Sequence, residues 1–227
     1  RVPSKPFTLP SVADAQRVVR PGSYFGKYDL RDGFWLVPVA QESRHHLMVR
    51  HPATGRLLWC KSLPFGFKLS PYIFCDITES IAEVFRRRVA GEGIYIYAFV
   101  DDFLIIGDTR ELTARGMHVF EALLEELGAP WAAHKQRGPA RVIEFLGHLL
   151  SNLPGQRCVA LTESRQTRME RRMLEWLALE PTPGEVYSSG PRELAVLLGH
   201  LVFCCEVIPH GRTYMQAMLR QFAGLEV

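Results

Sequence analysis

Two adjacent aspartates, Asp101 and Asp102, interrupt an otherwise apolar run that extends from Tyr95 to Gly107. The Ile, Val, Tyr and Phe residues on either side fit a sheet core, so the sequence predicts two short paired strands with both carboxylates on the tight turn between them. Burying two like charges side by side is costly unless something positive compensates them. A divalent cation does that, and hard oxygen donors suit Mg²⁺. The plainer reading is a hairpin whose turn carries Asp for its turn propensity alone. A third carboxylate, Asp29, ends another predicted strand, Ser23 to Leu30. If that strand neighbours the hairpin, three carboxylates meet at one sheet edge. They can then hold two divalent ions about 3.5–4 Å apart, which clamps the attacking and leaving oxygens of phosphoryl transfer.

The elements that must position these groups are read in order. A short helix is expected around Val12 to Val19. After the strand ending at Asp29, Asp32-Gly33 turns the chain before apolar Phe34-Trp35-Leu36-Val37. Residues 44 to 63 read as a β-hairpin with Pro52-Ala53-Thr54-Gly55 as its turn. Leu63 to Pro71 is a loop feeding a helix, with Ser70 expected as N-cap and Pro71 at the first helical position. Ile73, Phe74, Ile77, Ile81, Val84 and Phe85 mark one apolar face of that helix. Leu112, Phe120, Leu123, Leu124 and Leu127 mark a second helix, which Gly128 stops. Strands are expected around 142–150 and 157–161, then helices near 163–179, 191–206 and 212–224, with Pro181-Thr182-Pro183-Gly184 as a linker. The fold class is therefore α+β, a mixed layer of sheet and helices over 24–155 followed by a helical tail over 156–227.

At 227 residues, 47% of them apolar, the chain is long enough for a sizeable core. There is no signal-peptide pattern and no apolar run that spans a bilayer, so an intracellular protein without a membrane partner is expected. Arg1-Val2-Pro3 lacks an initiating Met, as in a segment of a longer chain. A net charge of +3 permits a nucleic-acid partner without arguing for one. Basic residues cluster at Arg86-Arg87-Arg88 and at Arg165, Arg168, Arg171 and Arg172; a solvated helix face is the competing account of each. The five scattered cysteines read as reduced core residues, and no zinc-type spacing is present.

Phe99-Val100-Asp101-Asp102 resembles the catalytic YxDD box of reverse transcriptases, with Phe for the usual Tyr. Lys27-Tyr28-Asp29-Leu30-Arg31-Asp32-Gly33-Phe34 is similar to their first catalytic block. Leu63-Pro64-Phe65-Gly66 with Ser70-Pro71 resembles their template and nucleotide loop. Lys135 and then Phe145-Leu146-Gly147-His148 resemble two later blocks. Leu197-Leu198-Gly199-His200-Leu201 and Pro209-His210-Gly211-Arg212 resemble the thumb of retrotransposon enzymes, particularly the DIRS-like group. Five motifs in family order make the resemblance specific.

The resemblance implies a polymerase palm over 24–155 that includes a fingers hairpin at 44–63, a helical thumb over 156–227, and a remnant of fingers or connection over 1–23. It implies an RNA-directed DNA polymerase that uses deoxynucleoside triphosphates, a primed RNA or DNA template, and two Mg²⁺ ions, for which Mn²⁺ can substitute. Asp29, Asp101 and Asp102 would be the metal carboxylates, Asp102 with less direct coordination, and Lys135 would protonate departing pyrophosphate. Phe34 would be the steric gate against a 2′-hydroxyl. Backbone around Leu30, Arg31, Asp32 and Gly33 would hold the triphosphate. Phe65 and Gly66 would pack on the incoming base and template, beside Pro64, Ser70 and Pro71. Phe99 and Val100 would bind nucleic acid, Phe145, Leu146 and Gly147 would lie in the primer grip, and Arg165, Arg168 and Arg172 along the duplex phosphates. The family's fingers block, whose Lys and Arg clamp the triphosphate, has no counterpart before Ser23. An inactive nucleic-acid-binding descendant and an RNA-dependent RNA polymerase palm are the competing readings.

Overall fold

A computed structural model describes residues 7–178, 191–208 and 210–223. The expected linker 181–184 and Pro209 lie outside them. The elements run α1 (Val12–Gln16), β1 (Tyr24–Asp29), β2 (Met48–Arg50), β3 (Leu57–Trp59), α2 (Ser70–Arg88), β4 (Ile94–Phe99), β5 (Asp102–Gly107), α3 (Arg110–Glu126), β6 (Arg137–Ala140), β7 (Val142–Phe145), β8 (His148–Leu153), β9 (Gln156–Leu161), α4 (Glu163–Leu177), α5 (Pro191–Cys204), α6 (Gly211–Tyr214) and α7 (Gln216–Ala223). The mixture of helices and antiparallel sheet is the expected α+β class.

The chain divides into two compact units, 1–145 with 151–157 and 146–150 with 158–227. The first is built on an antiparallel sheet of order β4-β5-β1-β6. Alternation along the strands gives this sheet two faces. Tyr28, Ile94, Ile96, Ala98, Phe103 and Ile105 form one core with Phe74, Ile81, Ala82 and Phe85 of α2 and Met117, Phe120, Leu123 and Leu124 of α3. Thr109 caps α3 by accepting the Leu112 N–H at 3.2 Å, and Gly128 ends it in a left-handed conformation, φ 63°. In the second unit, Met169, Leu197 and Cys204 form a small core flanked by Leu161, Trp176, Leu201 and Met218.

Several expectations are corrected. On α2 the buried row is Phe74, Thr78, Ile81, Ala82 and Phe85, while Ile77 and Val84 face solvent. Thr78 can be buried because its hydroxyl donates to the Cys75 carbonyl at 3.2 Å. Leu127 on the second helix is likewise exposed. Ser70 is not an N-cap: its buried Oγ donates to the Pro64 carbonyl at 2.8 Å, which ties the loop to the helix start. The stretch 142–150 is two strands folded at Leu146-Gly147, both left-handed (φ 51° and 77°). The hairpin expected over 44–63 pairs only through β2 and β3, because Gln41–His46 is a 3-10 helix. The last expected helix is broken into α6 and α7. All five cysteines are free, and Cys158 is exposed rather than in the core. Among the described residues no helix is long and apolar enough to cross a membrane.

Candidate active site

Pairing of β1 with β5 sets Asp29 directly opposite Asp102, and the Leu30 N–H donates to the Asp101 carbonyl at 2.9 Å. The three carboxylates are thus brought to one end of the central strand pair. Phe99 pairs with Asp102 across the β4–β5 hairpin, leaving Val100 and Asp101 as a two-residue turn. Val100 sits there at φ 56°, a conformation that a β-branched residue adopts only under constraint. Burial raises the thiol of Cys75 on α2, and the Val100 backbone N–H beside it opposes that rise. Asp102 is therefore the first residue of a strand, and of the two aspartates only Asp101 lies on the turn.

Two lysines pair with two of the three carboxylates. Lys135 Nζ donates to both Asp29 carboxylate oxygens at 3.1 Å. Its segment is docked on β1: the Ala132 N–H donates to the Asp29 carbonyl at 2.8 Å, and the Arg31 N–H donates to the Pro130 carbonyl at 2.9 Å. Lys27 Nζ lies 3.3 Å from Asp102 Oδ1. Sequence reasoning missed Lys27, although its place two residues before Asp29 on the same strand sets both side chains on one face.

Burial raises the Asp101 carboxyl above its ordinary range; Asp29 adds to the rise, and Lys135 and Lys27 oppose it. Burial also raises Asp102, with Lys27 as the main opposing influence. The Asp29 contact raises Lys135. Among the described residues, no three His, Cys, Asp or Glu side chains are arranged as a metal cage. The donor chemistry nonetheless fits a hard divalent cation. Asp102 Oδ1 is buried with Lys27 Nζ as its near neighbour, and burial raises both the Asp101 and the Asp102 carboxyls, a cost that a bound cation would offset.

The remaining first-block residues surround this centre. Asp32 and Gly33 take successive left-handed conformations (φ 69° and 45°), the kind of turn whose N–H groups form a concavity for anions. A Cβ on Gly33 would lie 3.9 Å from Asp101 Oδ2, so this turn runs beside the carboxylate. Phe34 packs its ring on Phe74 at 5.2 Å and on Phe65 at 5.1 Å. Phe65 is exposed, Gly66 beside it is left-handed, and Pro71 lies in the first turn of α2. Leu30 is buried, whereas the Arg31 side chain is exposed.

Behind the centre lies a polar network. Tyr28 Oη donates to Glu121 Oε1 at 2.7 Å, and Gln136 Nε2 donates to the same oxygen at 2.6 Å. Trp131 Nε1 donates to Gln136 Oε1 at 3.1 Å. The neighbours of Asp29 and Lys135 in the chain are thereby locked to α3.

The later blocks are placed differently. Phe145 is buried in the core, while Leu146 and Gly147 form the turn at the surface. What approaches Gly147 is the Arg165 guanidinium, which a Cβ would meet at 2.2–2.6 Å. Arg165, Arg168 and Arg172 share one face of α4, at spacings of three and four.

A family model described as reverse transcriptase (RNA-dependent DNA polymerase) matches residues 7–150. The chain is 27% identical over 208 residues to the Gag-Pol polyprotein of baboon endogenous virus (strain M7), covering 89% of this chain and 11% of that protein. It is 27% identical over 144 residues to polyprotein P3 of Commelina yellow mottle virus, covering 63% of the chain and 7% of the polyprotein. This sequence thus spans no more than 11% of the length of these curated relatives. Among solved structures, the foamy viral protease-reverse transcriptase dRH in complex with double-stranded DNA is similar at TM-score 0.69 and 19% identity, over 99% of this chain and 35% of that one. The same enzyme with an RNA/DNA hybrid is similar at TM-score 0.65 and 18% identity, over 92% and 25%. At those identities the likeness is one of fold.

Proposed function

The chain belongs to the reverse transcriptase family, and from that premise we propose that it is the palm and thumb of a retroelement RNA-directed DNA polymerase. The palm would span 24–155, with 44–63 as a fingers hairpin and 1–23 as a remnant of fingers or connection, and the thumb 156–227. One observation supports this reading above the others: the β1–β5 register that sets Asp29 against Asp102, with Asp101 on the adjoining strained turn.

Asp29, Asp101 and Asp102 would hold two divalent cations, Mg²⁺ or Mn²⁺. When bound, these would supply Lewis acidity at the primer 3′-hydroxyl and neutralise triphosphate charge. The chain's own residues supply the rest. The Asp32-Gly33 backbone offers N–H groups to the triphosphate, and Phe34, braced by Phe74, presents a ring against the sugar and so refuses a 2′-hydroxyl. Phe65 offers an exposed ring to the base. Lys135 holds a proton beside Asp29 and is placed to give it to departing pyrophosphate. Leu146 and Gly147 would meet the primer, and the α4 arginines the duplex backbone. The tail motifs favour the DIRS-like group.

A second reading, a nucleic-acid-binding module without catalysis, draws on the lysines that neutralise two of the three carboxylates. Primer extension decides between them. With an RNA template, a DNA primer and Mg²⁺, the polymerase reading predicts extension by deoxynucleotides and refusal of ribonucleotides. Duplex binding without extension supports the module, and ribonucleotide incorporation points to an RNA polymerase.

A further inference from the structure

The two lysines beside the carboxylates are not alike. Lys135 reaches Asp29 from the short 3-10 turn Ala133–Lys135, outside the sheet, and its side chain is 52% exposed, so water competes for the 3.1 Å contact. Lys27 stands on β1, an inner strand of the order β4-β5-β1-β6. Its side chain and that of Asp102, 3.3 Å apart, are only 20% and 21% exposed.

Register fixes this second pair. Lys27 lies opposite Leu104, two residues along β5 from Asp102, so the lysine and the carboxylate share one face of the sheet as a diagonal cross-strand pair. On its other flank Lys27 is paired with Arg137 of β6, whose guanidinium donates to the carbonyls of His134 and Gln136. With a cation on that side, the ammonium turns to Asp102. The solvated Lys135 contact is weak and easily exchanged, whereas breaking the shielded Lys27 contact would strand two partly desolvated charges. Among the described residues, Asp101 has no Lys or Arg nitrogen within 4 Å. A divalent cation approaching the three aspartates therefore meets a releasable lysine at Asp29, no lysine at Asp101 and a retained lysine at Asp102.

We propose that Lys27 is a positioning residue, which keeps Asp102 as its own ion-pair partner and so weakens the hold of that carboxylate on a divalent cation. This rests on the reading of the three aspartates as a cation centre. An opposite charge at such a distance changes the proton affinity of a carboxylate by about 10- to 10³-fold, and the same ammonium also repels a doubly charged ion. Removing it should therefore tighten cation binding.

The test is a Mn²⁺ titration of the whole chain without nucleotide or nucleic acid, with free ion read by electron paramagnetic resonance. Unfolding midpoints confirm that each variant is folded. Lys27→Met is expected to bind Mn²⁺ about tenfold or more tightly than wild type. Lys27→Arg, which keeps the charge, should stay close to wild type. In an Asp102→Asn background Lys27→Met should tighten binding much less, because the lysine acts through that carboxylate. A merely structural lysine would lower the unfolding midpoint of Lys27→Met without tightening the ion. Lys27→Met affinity equal to or weaker than wild type, or equal tightening in both backgrounds, would overturn the role of Lys27; the cation centre stands if Asp101→Asn still weakens binding. Mn²⁺ binding that Asp101→Asn leaves unchanged, or none by wild type and Lys27→Met alike, would overturn both.

Discussion

Removing one hydroxyl from the network behind the carboxylates isolates what holds the site together. Tyr28→Phe keeps the fully buried ring and deletes the 2.7 Å bond to Glu121. A hydrogen bond to a charged group contributes about 1.5–3 kcal/mol. Glu121 keeps its 2.6 Å bond from Gln136 and is one-quarter exposed, so water replaces part of the loss and the lower end, about 1.5 kcal/mol, is expected. For a chain of this size that is a fall in Tm of about 3–6 °C. The pH dependence carries a sign. Burial, then Glu121, raises the Tyr28 phenol well above its ordinary value. The folded chain therefore keeps a proton that the unfolded chain loses above about pH 10, and wild-type stability falls as pH rises from there. The Phe variant lacks that fall, so the gap between the two proteins narrows at alkaline pH. Urea unfolding followed by tryptophan fluorescence reports this, since Trp131 is part of the network. Equal midpoints at pH 8, or a gap that widens with pH, would refute the reasoning.

Gly107→Ala drives a Cβ to 2.5 Å from the Thr113 backbone nitrogen, where β5 meets α3; a loss of about 1–3 kcal/mol is expected in the same unfolding assay. Burial lowers the His148 pKa, so the unfolded chain takes up the proton first as pH falls below about 6.5. Stability at this site is then present above that pH and lost below it, and His148→Gln should flatten the acid limb of a midpoint-against-pH curve. Lys135→Met should slow nucleotide incorporation by about 10²-fold or more under single-turnover conditions while leaving duplex affinity unchanged.

The carboxylates were legible because the physics that exposes them is local. An Asp-Asp pair between β-branched runs has few structural explanations, and Asp29 closes a strand of the same kind. Their adjacency was legible only as a condition, since strand partners far apart in sequence leave no mark on either strand. Lys27 could have been found from the period of two along β1, but its contact with Asp102 depends on the β1–β5 register. The strand β6 was hidden by its own composition: Arg137-Gly138-Pro139-Ala140 has little strand propensity, and such a sequence is tolerated because β6 lies at the sheet edge. On α2 the apolar pattern misled because small Thr78 and Ala82, not Ile77 and Val84, face the sheet. The Tyr28–Glu121–Gln136 network joins three distant segments and had no sequence signal.

The central claim is that Asp29, Asp101 and Asp102 act together as the cation-binding centre of a polymerase. Single-turnover extension of a DNA primer on RNA by the Asp101→Asn variant tests it most directly, with duplex affinity measured alongside. A metal contribution of about 4 kcal/mol to the transition state corresponds to about 10³ in rate. The account predicts a loss of that size or greater with duplex affinity within a few-fold of wild type. Extension within tenfold of wild type would contradict it.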